Sequence, residues 1–269
     1  MTSAKKSKGM ERLHGQTNAY WEYQRRYAEE ILLPLFNSWE WSPKGKSILE
    51  IGCSEGGILN ALREHGADVT GIEINKDRVE NAKRLQVTEF PVIQMDICDT
   101  DDLKGLENKF DLIILRDVIE HLLDRDSALA NIRKLLVKNG VLFVTFPPWY
   151  MPFGGHQQVL RNFLRYVPFI HWLPRNLYLN LIKSVEKERP VLVRDLMDTY
   201  DSGLTMRSFR KLMKKYGYSI DHHIKWFLNP AYKIKFGWNQ VEMGWFGKIP
   251  VLREIFTTSM YSWNRKLGE

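Results

Sequence analysis

From Ser47 to Pro148 the chain alternates short apolar runs with amphipathic ones, and this rhythm limits the folds open to it more than any other feature. "SILEIGC" reads as a strand and "GGILNALREHG" as a helix closed by Gly66. "DVTGIEIN" and "KDRVENAKRLQ" repeat the pair, and "FPVIQMDI" gives a third strand. "KFDLIILRD" is dense in β-branched and apolar residues, as a strand buried on both faces requires. "RDSALANIRKLLVKNG" then predicts a helix ending at Gly140, and "VLFVTFP" a fifth strand. Strands alternating with helices give right-handed βαβ units, hence a parallel sheet with helices on both faces.

The flanks are less regular. "YWEYQRRYAEEILLPLF" places Tyr20, Tyr23, Tyr27, Ile31 and Leu32 on one helical face, with Pro34 expected to end or bend the helix. Beyond Pro148 the chain is aromatic, basic and broken by prolines, with helices expected near 158–166 and 174–186. "TMRSFRKLMKKYGYSIDHHIKWF" predicts a helix and a strand, in which His222 and His223 need no special role. "IPVLREIFTTSMYSWNRKL" predicts a short helix and a final strand. At 269 residues, one elaborated domain is expected. Its parts are an N-terminal helical cover (1–46), a core (47–148), a lid (149–204) and C-terminal helices and strands (205–269).

The strand–turn–helix "ILEIGCSEGGILNAL" can bring backbone close to a ligand beside a helix N-terminus. A dinucleotide fingerprint would read Gly-x-Gly-x-x-Gly; here Ser54 stands at the middle glycine, which disfavours a nicotinamide dehydrogenase. Glu73, at the end of the second strand, can accept hydrogen bonds from both hydroxyls of a ribose. Asp96, at the end of the third, is placed to receive an adenine amino group. Three strand ends thus converge on one crevice, the usual ligand site of an open α/β sheet.

On these residues the chain resembles the class I S-adenosylmethionine-dependent methyltransferases. Their first motif, acid-x-Gly-x-Gly-x-Gly, reads here "EIGCSEG", with Glu50, Gly52, Cys53, Ser54 and Gly56 along the cofactor and Ser54 departing from the pattern. Glu73 with Ile74 matches the ribose-binding position, and Asp96 with Ile97 the adenine side. "FDLIILRDVIEHLLD" is similar to the fourth-strand motif, which brings Arg116 and Asp117 near the methionine portion. The resemblance implies a Rossmann-like, doubly wound, seven-stranded, mostly parallel sheet with a reversed last strand. It also implies methyl transfer from S-adenosyl-L-methionine.

The acceptor is then expected over the ends of strands four and five, beside "TFPPWYMPFGGHQQ". Trp149, Tyr150 and Phe153 can wall an apolar pocket, and Gly154 and Gly155 permit a sharp turn presenting His156 as general base. The alternative is a histidine bonded to a backbone carbonyl among core aromatics. Asp117, Glu120 and His121 fall at i, i+3 and i+4, one face of a helix start, and could hold Mg²⁺ or Mn²⁺ with His156 as a further ligand. The segment is similar to that of ubiquinone-pathway O-methyltransferases and small-RNA 2′-O-methyltransferases. Many relatives carry such a segment without a metal.

Charge divides unevenly. Residues 1–150 carry 20 Lys and Arg against 23 Asp and Glu, a net of −3; residues 151–269 carry 19 against 9, a net of +10. The insertion "LRNFLRYVPFIHWLPRNLYLNLIKSVEKERP" interleaves Arg161, Arg165, Arg175 and Lys183 with bulky apolar residues. That suits a lid against a membrane surface or a lipid-linked acceptor, a nucleic-acid groove, or a helical cap with a solvated basic edge. Two cysteines, no apolar leader in "MTSAKKSKGMERLHGQ" and no run of roughly 18 apolar residues lead us to expect a cytoplasmic protein. The expected reaction is O-methylation of a small or lipid-linked molecule: a sugar, glycan or quinone-type phenol. An RNA methyltransferase, or a non-catalytic scaffold on the same fold, is the alternative.

Overall fold

A computed structural model describes residues 17–99, 103 and 105–268. The polar start, 1–16, with the expectation of no leader there, lies outside the described residues.

Eight strands form one sheet in the order β3-β2-β1-β4-β5-β8-β6-β7. β1 (Ser47–Ile51), β2 (Asp68–Glu73), β3 (Val92–Gln94), β4 (Phe110–Arg116) and β5 (Leu136–Phe146) run parallel. β8 (Ser259–Lys266) is antiparallel to both β5 and β6 (Tyr218–Leu228), which is the expected reversed last strand. The eighth strand, β7 (Val241–Glu242), adds to the seven expected; two residues are too short a run to show any periodicity.

Helices cover both faces: α1 (Thr17–Tyr27), α2 (Leu33–Ser38), α3 (Gly57–Glu64), α4 (Lys76–Leu85), α5 (Arg125–Leu135) and, after the insertion, α8 (Met206–Lys215). Along β4, Leu112 and Ile114 face one core with Tyr27, Phe36, Phe143 and Trp263. Ile113 and Leu115 face the other, with Ile132, Phe209 and Met213. Two buried faces are the reason the strand reads as an unbroken apolar run.

Three elements differ from the sequence expectation. Pro34 does not end the first helix: a π-helical turn, Ala28–Leu32, joins α1 to α2, with the Leu33 N–H bonded to the Ala28 carbonyl. The wider turn carries the chain past a residue that has no N–H to give. The helix expected to reach Gly140 stops at Leu135, and β5 starts at Leu136. The N–H groups of Asn108 and Lys109 capture the carbonyls of Lys134 and Leu135, so pairing beside β4 overrides helical propensity. In the insertion the first expected helix, near 158–166, is two short 3₁₀ turns, Gln157–Val159 and Phe163–Tyr166, and a third, Ile170–Trp172, follows. α6 (Arg175–Val185) matches expectation, and α7 (Pro190–Ser202) was not foreseen. These pieces enclose their own apolar cluster around Leu160, Tyr178, Ile182 and Leu196.

Candidate active site

The loop from β1 to α3 is left-handed at three alternate residues: Gly52 (φ 73°), Ser54 (φ 54°) and Gly56 (φ 76°). At Gly52 a Cβ would meet Val118 Cγ2 at 2.5 Å, so glycine is required there by contact as well as by φ. Ser54 thus holds a left-handed conformation of the kind that favours glycine. Its hydroxyl accepts from Arg78 Nη1 at 2.5 Å and donates to Glu55 Oε2 at 2.5 Å, in a buried position. Strain of about 1 kcal/mol is thus set against two charge-assisted hydrogen bonds worth more. Stability in denaturant titration is expected to fall in the order wild type, Ser54→Gly, Ser54→Ala. Glycine loses the bonds but relieves the strain, by roughly 1 kcal/mol net, whereas alanine loses both, by about 2 kcal/mol.

Glu73 fixes the loop from below, accepting the Ser54 N–H at 3.0 Å on Oε2 and the Asn75 N–H at 2.9 Å on Oε1. Each oxygen keeps a second lone pair for a ligand hydroxyl. Gln24 of α1 holds the loop from above. Its amide donates to the Cys53 carbonyl at 3.0 Å and accepts the Gly57 N–H at 3.2 Å. A Cβ at Gly57 would lie 2.2 Å from the Trp21 carbonyl, so α1 passes directly across the start of α3. Cys53 itself is buried, its Sγ beneath Gly71 and its thiol pKa pushed up by burial. Ile74 is 62% exposed beside Glu73, open to a flat ring. Asp96 is exposed two residues beyond β3, not at the strand's end as read, and its Oδ1 accepts the Cys98 N–H at 2.9 Å. The Ile97 side chain belongs to the core, while its carbonyl accepts from Asn131 Nδ2 at 2.9 Å.

At the centre Glu50 and Arg116 lie close enough to act on each other electrostatically. Burial pushes the Glu50 carboxyl up to about 8, against the pull of Arg116 and with a push from Glu73. Among the described residues its Oε2 has no hydrogen-bond partner. Arg116 is buried over the rings of Tyr27 (4.8 Å to centroid) and Tyr23 (5.8 Å) and lies 3.5 Å from both Tyr20 Oη and Asp117 Oδ2. An orphaned carboxylate oxygen next to a guanidinium fits the ammonium and carboxylate of an amino acid. With Glu73 for the ribose, the chain's residues therefore fit the two ends of S-adenosylmethionine.

On the acceptor side the structure regroups the residues. Asp117 has φ 53° and accepts the Thr145 hydroxyl at 2.9 Å; its carboxylate acts on Glu120 and His121 through its charge but is not in the cluster of donor atoms they form. Only a 3₁₀ turn, Ile119–His121, follows, and the helical i, i+3, i+4 face does not form. Glu120 and His121 gather instead with His156, donor atoms of all three lying within 4.8 Å of one another. Glu120 is buried, neither carboxylate oxygen has a hydrogen-bond partner among the described residues, and burial together with Asp117 pushes its pKa well up. Burial, with His121 and His171 adding to it, pushes His156 down to about 3, so its imidazole is neutral at neutral pH. The His121 and His156 rings meet edge-on at 4.9 Å. Thr199 Oγ1 donates to the Asp195 carbonyl at 2.9 Å; His121 Nδ1, 3.1 Å from the same oxygen, then carries the proton and leaves Nε2 as a lone pair.

The stretch 145–158 is held by polar groups hidden in the insertion. Gln157 Nε2 donates to the carbonyls of Pro152 and Val167, and His171 Nε2 to that of Trp149. Gly154 and Gly155 are needed for close approach: a Cβ would meet the Trp149 carbonyl at 2.2 Å or His171 Cβ at 2.3 Å. The left-handed residue of the turn is His156 itself, at φ 57°. Trp149 packs edge-on against His171 and Tyr200, Tyr150 against Trp172, and Phe153 is half-buried with its carbonyl bonded to the His156 N–H. Gln24, Tyr20, Thr199 and Lys235, whose Nζ sits 5.1 Å from the Tyr23 ring centroid, escaped sequence reasoning. Gln24 alone left a signal, a polar residue flanking the apolar stripe of α1.

Sheet order, glycine loop and converging acids together define the class I methyltransferase architecture. Residues 20–223 match the methyltransferase domain family, and the chain belongs to it. It is 26% identical over 168 residues to the ubiquinone biosynthesis O-methyltransferase of Bartonella bacilliformis, covering 60% of this chain and 64% of that one, so it spans less than two thirds of that relative. Among solved structures, the plantazolicin methyltransferase in complex with a triazolic desmethyl-plantazolicin analogue and S-adenosylhomocysteine superposes with a TM-score of 0.57 at 16% identity, over 97% of this chain and 91% of that one. An S-adenosylmethionine-dependent methyltransferase from Mesorhizobium loti gives 0.54 at 13% identity, over 87% and 96%. Among the described residues no helix is long and apolar enough to cross a membrane.

Proposed function

We propose that this protein transfers a methyl group from S-adenosylmethionine to an oxygen of a small or lipid-linked acceptor, of the sugar, glycan or quinone-type phenol class. The observation that carries the cofactor half is the buried Glu50, with an unpartnered oxygen, beside Arg116. Bound S-adenosylmethionine supplies a methyl already activated on a sulfonium. The chain's own part is to hold the acceptor in line, keep water out and take its proton. His156, neutral and facing Glu120 at 4.0 Å, is the base. Likeness to ubiquinone biosynthesis O-methyltransferases supports oxygen as the acceptor atom. The insertion supports an amphipathic acceptor and peripheral contact with a membrane: Phe163 is 72% exposed, with Tyr166, Trp172 and Leu177 also exposed near Arg165 and Arg175.

A second reading places a divalent cation, Mg²⁺ or Mn²⁺, among Glu120, His121 and His156. The two unpartnered Glu120 oxygens favour it, and one carboxylate with two imidazoles is a suitable donor set.

Calorimetric titration with S-adenosylhomocysteine tests the reading first. We expect micromolar binding that Glu73→Ala weakens by at least tenfold, since two charge-assisted ribose bonds are lost, while NAD gives no heat. Absence of binding by folded protein would favour a scaffold that has kept the fold without the chemistry.

A further inference from the structure

Between β6 and β8 the chain makes a detour through α9 (Ala231–Phe236), β7, a 3₁₀ turn (Trp245–Lys248) and α10 (Pro250–Phe256). β8 is antiparallel to both β5 and β6, so β6 runs in the same direction as β5. The detour therefore sits at the edge of the sheet where β4 and β5 end, the edge that carries Asp117 and Trp149. Two contacts tie it there. Glu254 of α10 accepts the N–H of Met206 at 3.2 Å, just past the insertion, and Lys225 donates to the Gly247 carbonyl at 3.2 Å.

This segment hides very little of its apolar surface. Trp245 is 75% exposed, Val251 66% and Trp238 56%; Ile249 and Phe256 are exposed as well, and α10 has no buried residue. Exposed apolar side chains gathered in one short segment mark an interaction site. Behind it lie three half-buried cations, Arg210, Lys225 and Arg253, close enough to repel one another. Burial and this repulsion hold Arg210 and Lys225 below their ordinary pKa values. The acid that opposes Arg210 is Glu254, which also caps Met206, and the exposed Lys248 adds a further positive charge. Aromatic and aliphatic side chains around half-buried cations form a surface complementary to a headgroup layer, where indoles settle and phosphates neutralise the cations.

We propose that residues 238–256, with Arg210 and Lys225 behind them, dock on a lipid bilayer that bears anionic headgroups. The aromatic residues enter the interface and the cations contact phosphate. The site's acceptor edge then faces the bilayer, so an acceptor with a lipid tail can reach the site without leaving the membrane; this last consequence rests on the proposed methyl transfer, the docking itself does not.

Co-sedimentation of the full chain with vesicles tests it, using phosphatidylcholine alone and phosphatidylcholine mixed with phosphatidylglycerol. We expect binding to the mixed vesicles, weakening with salt, with a blue shift of tryptophan emission. Lys225→Gln and Arg253→Gln should each weaken it about fivefold, and Trp245→Glu should abolish it. All three variants should bind S-adenosylhomocysteine as wild type does, which shows that they fold and separates this test from that of the methyltransferase reading. Equal binding to both vesicle types, no binding, or unchanged binding by Trp245→Glu would overturn the proposal. So would a dimer in vesicle-free buffer that Trp245→Glu dissociates, for then a second copy of the chain covers the face.

Discussion

S-adenosylhomocysteine is expected to bind this protein about tenfold more tightly for each unit by which pH rises from 6 toward 8. The cause is Glu50, whose carboxyl is held up to about 8 by burial in the free protein. An ammonium ligand needs the carboxylate, so below that pH binding must first expel a proton. The ionised fraction falls tenfold per unit, and the apparent affinity falls with it. Calorimetry in buffers of different ionisation enthalpy should count close to one proton released at pH 6.5. Glu50→Gln should flatten the profile and weaken binding at pH 8 by about a hundredfold, since a charge-assisted pair in a buried site becomes a neutral contact. The same shift acts on stability with the opposite sign. A carboxyl protonated in the fold and ionised in the unfolded chain makes the free protein less stable as pH rises from 4.5 through 8, and Glu50→Gln should remove that slope. A pH-independent dissociation constant in the wild type would mean that Glu50 does not meet the ligand.

What the sequence discloses about this site is its local part. Gly52, Gly56 and Glu73 lie on one strand–turn–helix–strand unit, and short-range pattern suffices to place them. Ser54 reads as a departure from the motif, yet its backbone holds a left-handed conformation of the kind that favours glycine, with its side chain bonded to Arg78 and Glu55. Partners brought by tertiary packing leave no such trace. Thr199 and Lys235 come from elements far apart in the chain, and nothing in their own neighbourhoods predicts contact; Gln24 shows only as a polar residue beside the apolar stripe of α1. The Asp117–Glu120–His121 spacing misleads for the same reason. It assumes a helix, while a left-handed Asp117 bonded to Thr145 breaks the periodicity at its first residue. In the sheet, β1, β2 and β4 follow from composition because two buried faces demand it. The end of α5 does not, because Leu135 and Leu136 are equally suited to a helix, and the N–H groups of the preceding turn decide.

His156 carries the second large expectation. His156→Ala should lower kcat by roughly tenfold to a hundredfold on any acceptor found by screening prenylated phenols and lipid-linked glycans, the low end of what a positioned base contributes, because burial that holds the imidazole down to about 3 also weakens it as a base. Its effect on S-adenosylhomocysteine affinity should be small, since the imidazole lies with Glu120 and His121 and not among the residues assigned to the cofactor. Because burial holds His156 near 3, kcat at saturating substrates should stay level down to pH 5, where an ordinary histidine would already have lost most of its activity. Glu120 separates the two readings of the cluster. If it is a protonated carboxyl beside a neutral imidazole, as its raised pKa implies, Glu120→Gln is a close neutral replacement and turnover should stay within about threefold of wild type, unaffected by chelators. If a cation sits among Glu120, His121 and His156, the glutamine removes the one charged ligand. Turnover should then collapse with Glu120→Gln and with EDTA alike, and Mn²⁺ should restore the chelated wild type but not the variant. Full activity in His156→Ala would remove His156 from both schemes, as base in one and as ligand in the other, and leave orientation of the acceptor as the chain's contribution.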